Sequence, residues 1–264
     1  MTYPLFVQEI DKRGVARITL TRDEVHNAFN EVLIAELTAA LDGLGQDPRV
    51  RAVVLAAQGR SFSAGADLNW MKARAGASRA ETVADARGLA RLMQCLSGRR
   101  RPTLALVQGA AFGGGVGLVA CCDIAIAVEE AKFCLSEVKL GLIPAVISPY
   151  VVAKIGESAA RRYFLTAEAF SAWEAERLGL VHEVVDRRKL ESRGRQVVDA
   201  LLEGGPQAQR AAKGLVFSVS GRTPSDENLM EETANRIAEL RASEEGREGI
   251  RAFLEKRRPH WREE

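Results

Sequence analysis

The sequence predicts an α/β fold, a mainly parallel sheet with crossover helices followed by a helical C-terminal third. Three observations carry this expectation. Residues 51–57 (RAVVLAA), 103–109 (TLALVQG) and 123–128 (DIAIAV) are short continuous apolar runs, the pattern of strands covered on both faces. Stretches of helical periodicity separate them, which gives a β–α–β–α–β order whose parallel strands need crossover connections. From about residue 148 onward helical periodicity dominates, broken only over residues 180–185.

Taken in order, residues 6–10 and 15–21 alternate apolar and polar side chains around a turn at 11–14, which predicts a hairpin. TRDEVHNAFN, residues 21–30, reads as a loop whose Asn30 caps a helix running to Gly45. The strand 51–57 follows, then a turn and the segment SFSAGADLNWM, then a helix over 79–96. The strand 103–109 hands over to a glycine cluster (Gly113, Gly114, Gly115) and a short apolar helix, VGLVACC, before the strand 123–128. AKFCL is strand-like, and Glu137, Gly141 and Pro144 stand in a turn after it. Helices are expected over 149–154, 157–165, 172–178, 189–202, 207–219 and 228–255. The expected organisation is a core over residues 1–200 and a C-terminal helical region over 201–264 that packs across a subunit interface.

Composition narrows the classes of function. With 264 residues and 47% hydrophobic content the chain can bury a full core. Its 37 basic residues balance 35 acidic ones, so no global field recruits nucleic acid. The basic runs at 99–101 and 256–258 read as solvated faces. No apolar run reaches membrane-spanning length and no secretory leader pattern opens the sequence, so a cytoplasmic protein without membrane contact is expected. Cys95, Cys121, Cys122 and Cys134 lack C-x-x-C spacing and read as buried thiols rather than a metal site.

The glycine cluster carries the first chemical signal. Glycines at a strand-to-helix junction let a ligand approach the backbone, and the first N–H groups of the helix favour a negative charge. A P-loop needs Lys and Ser/Thr after its last glycine, where Val116 and Gly117 stand, and a Rossmann fingerprint needs spaced glycines in the first βα unit. Both readings fail, which leaves an oxyanion site or, more plainly, glycines that only permit tight helix–strand packing. The second signal is Ser63-Ala64-Gly65-Ala66-Asp67-Leu68, small residues at a carboxyl end of the sheet, where α/β folds bind ligands. One backbone donor near Ala66 and one near Gly114 would converge on a single oxygen, with the Glu137 carboxylate facing them.

SFSAGADL, GAAFGGGVGLVACCDIAIA, SEVKLGLIP and LTAEAFSAWEAERLGLVHEVV together resemble the crotonase (enoyl-CoA hydratase/isomerase) superfamily over essentially the whole chain. Within it, GADLNWM, GGGVGLVACCDIAIA and SEVKLGLIPAVISPYV together are most similar to bacterial methylglutaconyl-CoA hydratases, with the hydratases of isohexenylglutaconyl-CoA close in sequence. The resemblance implies a spiral of ββα units, an acyl-CoA thioester as substrate, no separate cofactor, and a trimer or a dimer of trimers. It implies that Ala66 and Gly114 donate to the thioester oxygen and that Glu137 is a catalytic carboxylate. Ala64, Gly65, Asp67 and Leu68 would line the coenzyme A groove, Gly113, Gly115 and Gly117 the acyl path, and Phe253 and Lys256 a tail closing the site.

One departure stands out. The family's hydratases read G-G-G-x-E, and their first catalytic glutamate would fall at Gly117. The missing side chain is expected to leave a space for an ordered water or the substrate's own distal carboxylate. The loop AVISPY, residues 145–150, also departs from a glycine-rich turn, so the acyl end is expected to be reshaped. Tyr150, His26, His182 and His260 read as structural or surface residues. Three functions stay open: a hydratase of a branched acidic enoyl-CoA, an enoyl-CoA isomerase working with Glu137 alone, and a catalytically silent acyl-CoA-binding protein. A serine hydrolase lacks its G-x-S-x-G elbow.

Overall fold

The computed structural model describes residues 5–98 and 100–262, so Arg99 of the first basic run lies outside the described residues. The chain opens with the hairpin β1 (Phe6–Ile10) and β2 (Val15–Leu20), paired antiparallel with Phe6 opposite Leu20. Helix α1 (Glu31–Gln46) starts at Asn30, whose side chain accepts from the Leu33 N–H as a cap residue should. Then come β3 (Ala52–Ala57), β4 (Ser61–Ser63), α2 (Leu68–Ala73) and α3 (Arg79–Ser97), the last opened by a capping box between Ser78 and Glu81. Strands β5 (Thr103–Val107) and β6 (Ala110–Phe112) lead into α4 (Gly114–Cys121), and β7 (Ile124–Val128) and β8 (Lys132–Cys134) into α5 (Ser148–Thr166). The remainder is β9 (Phe170–Ser171), α6 (Ala172–Arg177), β10 (Glu183–Val185), α7 (Leu190–Glu203), α8 (Pro206–Val219), α9 (Glu227–Ala242) and α10 (Glu244–Leu254).

There are two sheets. The larger runs β1-β2-β3-β5-β7-β10, parallel throughout except for the opening hairpin. The smaller runs β4-β6-β8-β9, parallel except at β8 and β9. Each of the three successive units therefore gives one strand to the large sheet, the next to the small one, and then turns back through helix. The run 103–112 divides because Gly109 lies against the Arg60 backbone and bends the chain from one sheet into the other. A single apolar run conceals such a bend.

The core lies between the sheets and α1, α3, α4 and α5, with Phe29, Phe62, Phe133 and Met93 fully buried. Helix α5 merges the two helices expected there and keeps a non-helical Gly156 (φ 72°) between them. The single helix expected over 228–255 is two, because Ser243 takes an extended backbone and its hydroxyl caps α10 at the Gly246 N–H. Helix α7 packs on β3, β5 and β7, whereas α8, α9 and α10 bury few side chains in this chain. Val216, Phe217, Met230, Ile237, Phe253 and Leu254 are exposed. No helix among the described residues is long and apolar enough to cross a membrane.

Candidate active site

The glycine cluster and the segment 63–68 meet. Gly113, at φ 50°, precedes α4, and its N–H donates to Cys134 O at 2.9 Å, which ties the turn to β8. Gly114 is the first residue of α4, so its N–H has no intrahelical acceptor. On the other loop, Gly65 has φ 85°, and a Cβ there would lie 2.9 Å from Phe112 O and 3.5 Å from Gly114 N. The two loops are in contact, and only glycine allows the approach. Phe29 and Ala66 form a parallel bridge in which Phe29 N donates to Gly65 O and Asp67 N to Phe29 O. The Ala66 N–H is left without a backbone acceptor among the described residues.

Glu137 faces this junction. It opens a 3-10 turn, Glu137–Leu140, that closes at Gly141 in the left-handed region, where the Gly141 N–H donates to Val138 O. Its Oε1 would lie 3.1 Å from a Cβ on Gly113, a tight contact at a residue whose φ of 50° already favours glycine. Its Oε2 is buried with no hydrogen-bond partner among the described residues. Burial pushes the Glu137 carboxyl above the ordinary glutamate range. A buried carboxylate oxygen without a partner thus lies beside the Gly113–Gly114 turn, the kind of environment in which functional carboxylates are found.

The remaining predicted residues divide. Ala64, Ala66 and Leu68 are exposed and alternate with buried Gly65 and Asp67, so the segment presents every second residue to solvent. The Asp67 carboxylate is engaged within the chain. Its Oδ1 accepts from the Asn69 and Trp70 N–H groups at the start of α2, and its Oδ2 pairs with Arg22 at 3.0 Å. Burial pushes its carboxyl up, but the Asn69 N–H, the Arg22 guanidinium and the Trp70 N–H hold it below the ordinary range. Gly115 is buried against Ser63.

Gly117 corrects an expectation. The space its missing side chain was expected to leave is filled by Ile147, which is 2% exposed, with Met93 beside it. Ile147 comes from the AVISPY loop, so Gly117 and that loop form one packing solution. No room for a water or a distal carboxylate lies there. Phe253 and Lys256 are exposed, and α10 packs on α8 and α9. His26, whose ring meets Ser61 Oγ at 3.1 Å, and His182, whose Nδ1 accepts from the Ala125 N–H, are held in structural contacts. Cys121, Cys122 and Cys134 are buried and Cys95 half-buried.

Residues 11–264 match the family model for enoyl-CoA hydratase/isomerase. The chain belongs to the enoyl-CoA hydratase/isomerase family. It superposes on an enoyl-CoA hydratase of Shewanella pealeana with a TM-score of 0.94, at 48% identity over 98% of this chain and 96% of that one. Pseudomonas aeruginosa AtuE superposes with a TM-score of 0.92, at 37% identity over 98% and 100% of the two chains. The crotonyl-CoA hydratase of Syntrophomonas wolfei is 30% identical over 99% of both sequences. Membership gives the two-sheet spiral its name, the crotonase fold. The sequence reading left the loop 22–29 without a role, although it packs on the segment 63–67. Within it His26 and Asn27 both take positive φ, and Asn27 is wholly buried.

Proposed function

We propose that this chain is an enoyl-CoA hydratase that works with one carboxylate. The observation that carries the reading is the buried, unpartnered Glu137 Oε2 beside the Gly113–Gly114 turn and the free Ala66 N–H. The thioester oxygen accepts from the Ala66 and Gly114 N–H groups, which polarises the conjugated C2=C3 bond. Glu137 takes a proton from a water whose oxygen bonds to C3, and the displaced electron pair comes to rest on the thioester oxygen as an enolate. The same proton then passes from Glu137 to C2, the carbonyl reforms, and the carboxylate is regenerated. Hydratases named among its relatives support the reaction class.

The finer reading is a branched acidic enoyl thioester, 3-methylglutaconyl-CoA or the related isohexenylglutaconyl-CoA. It rests on the resemblance of GADLNWM and SEVKLGLIPAVISPYV to those hydratases. With Ile147 in place, the distal carboxylate of such a substrate is met away from Gly117. The exposed apolar residues of α8–α10 support a homo-oligomer, a trimer or a dimer of trimers.

One observation favours a second reading. The neighbours that side chains at Gly113, Gly114, Gly115 and Gly117 would meet are Glu137, Phe29, Ser63, Ile147 and Met93, with Glu137 the one carboxylate among them. A lone base is enough for an isomerase, which removes a proton from one carbon and returns it to another. A panel of enoyl-CoA esters followed by mass and by loss of conjugated thioester absorbance decides. A product heavier by one water supports the hydratase, an unchanged mass with a moved double bond the isomerase, and binding without turnover a silent acyl-CoA-binding protein.

A further inference from the structure

The loop 22–29 holds the segment 63–67 along its whole length. Asn27 Nδ2 donates to Ser61 O, Ser63 Oγ donates to Asn27 O, and Ala64 N donates to His26 O, each at 2.9 Å. Phe29 N donates to Gly65 O at 2.6 Å and Asp67 N to Phe29 O at 2.8 Å. The last two bonds flank Ala66. They commit Gly65 O and Asp67 N to one side of the segment, so the Ala66 N–H points to the other.

An ion pair closes this arrangement. Arg22 and Asp67 have side chains 13% and 8% exposed and meet at 3.0 Å. The second arm of the Arg22 fork donates to Ala28 O, inside the loop that carries Phe29. One guanidinium thus joins the residue after Ala66 to the residue before Phe29, and Asp67 Oδ1 is itself fixed by the first turn of α2. An apolar pair would fill the same volume without fixing a direction, whereas a planar fork holds two acceptors at a set angle.

We propose that Arg22 and Asp67 are positioning residues that hold the Ala66 peptide with its N–H aimed at the thioester oxygen, and that Asp67 is not a ligand of coenzyme A. The inference rests on the oxyanion-hole reading given above. Loosening the pair lets the Ala66 peptide rotate about its flanking bonds. Ground-state binding along Ala64 and Leu68 survives, while stabilisation of the enolate falls.

The test reads carbonyl polarisation directly, in a Glu137→Gln background that prevents turnover. A conjugated aryl-enoyl-CoA is bound to the parent variant, and the red shift of its thioester absorbance is recorded. Arg22→Lys, which keeps the charge but cannot bridge Ala28 O and Asp67 together, is expected to lose most of that shift with little change in Kd. Asp67→Asn is expected to do the same. Because it leaves Arg22 buried without its counter-charge and threatens folding, Arg22→Lys is the deciding variant. With Glu137 restored, kcat of Arg22→Lys should fall about tenfold or more, a fraction of the 10²–10³ seen when an oxyanion donor is removed outright, while KM stays close to wild type. A folded Arg22→Lys chain with the full red shift and unchanged kcat overturns the clamp. A Kd that weakens in step with kcat overturns it too, since that marks a ligand contact. A parent variant that binds the ester with no red shift refutes the oxyanion hole itself, which separates that failure from failure of the clamp.

Discussion

Replacing Gly117 with alanine measures how tightly Ile147 closes the position behind the glycine cluster. In an open helix interior the change stabilises by about 0.5–1 kcal/mol. Here the new methyl would lie 3.0 Å from Ile147 Cβ and 3.2 Å from Met93 Cε, and closer still to Ile147 Cγ2. Carbon atoms prefer about 3.5–4.0 Å. Ile147 is 2% exposed and Met93 fully buried, so neither can swing into solvent. Overpacking a close-packed core costs about 1–3 kcal/mol, and contacts this short to side chains that cannot move fall in the upper half of that range, so a net loss of about 1–2 kcal/mol remains after the propensity gain. At about 2–4 °C per kcal/mol, Tm should drop by about 2–8 °C. Ile147→Ala alone should cost about 2–5 kcal/mol. In the double variant the clash is gone, so denaturant melts followed by circular dichroism should show a favourable coupling of about 0.5–3 kcal/mol. A Gly117→Ala chain that melts at or above wild type, or strictly additive losses, would refute the packing argument. The functional corollary is that Gly117→Glu should be tolerated only together with Ile147→Ala.

Three further outcomes are expected. Burial raises the Glu137 carboxyl, so kcat/KM should fall on the acid side with an apparent pKa above that of an exposed glutamate; a profile flat through that range would contradict it. The same shift has a sign for stability: a raised folded-state pKa contributes stability below the unfolded pKa and loses it as pH rises through the folded one. Glu137→Gln should therefore melt no lower than wild type at neutral pH, with any gap closing in acid. Gly65→Ala would place a methyl at φ 85° between Phe112 O and Gly114 N and part the two loops, so kcat should fall by about 10²–10³ in a chain that still melts cooperatively. Phe253 and Phe217 are 82% and 60% exposed, so light scattering should report a trimer or hexamer that Phe253→Asp weakens; a monomer at micromolar concentration would contradict the proposed assembly.

The strands of the large sheet were legible because burial on both faces leaves apolar runs such as Ala52–Ala57 and Ile124–Val128. Of the small sheet only β8, within AKFCL, was legible, because strands of two or three residues such as β4 and β9 carry no periodicity of their own. Glu137, Ala66 and Gly114 were named from motif and chemistry together, and the structure brings their loops into contact. The resemblance placed Asp67 in a groove lining but could not show its carboxylate's partner, because Arg22 lies 45 residues away in the chain. Gly117 misled for the same reason. An absent side chain looks like a space until Ile147, thirty positions on by sequence number, is seen to fill it.

The central claim is that Glu137 alone carries the proton, and Glu137→Gln tests it most directly. The amide keeps the size of the carboxyl and removes the base, so the rate with the best enoyl-CoA of the panel should fall by about 10²–10⁴ while the Kd for a saturated acyl-CoA stays the same. A Glu137→Gln enzyme that turns over at near the wild-type rate would contradict the claim and place the base on another residue.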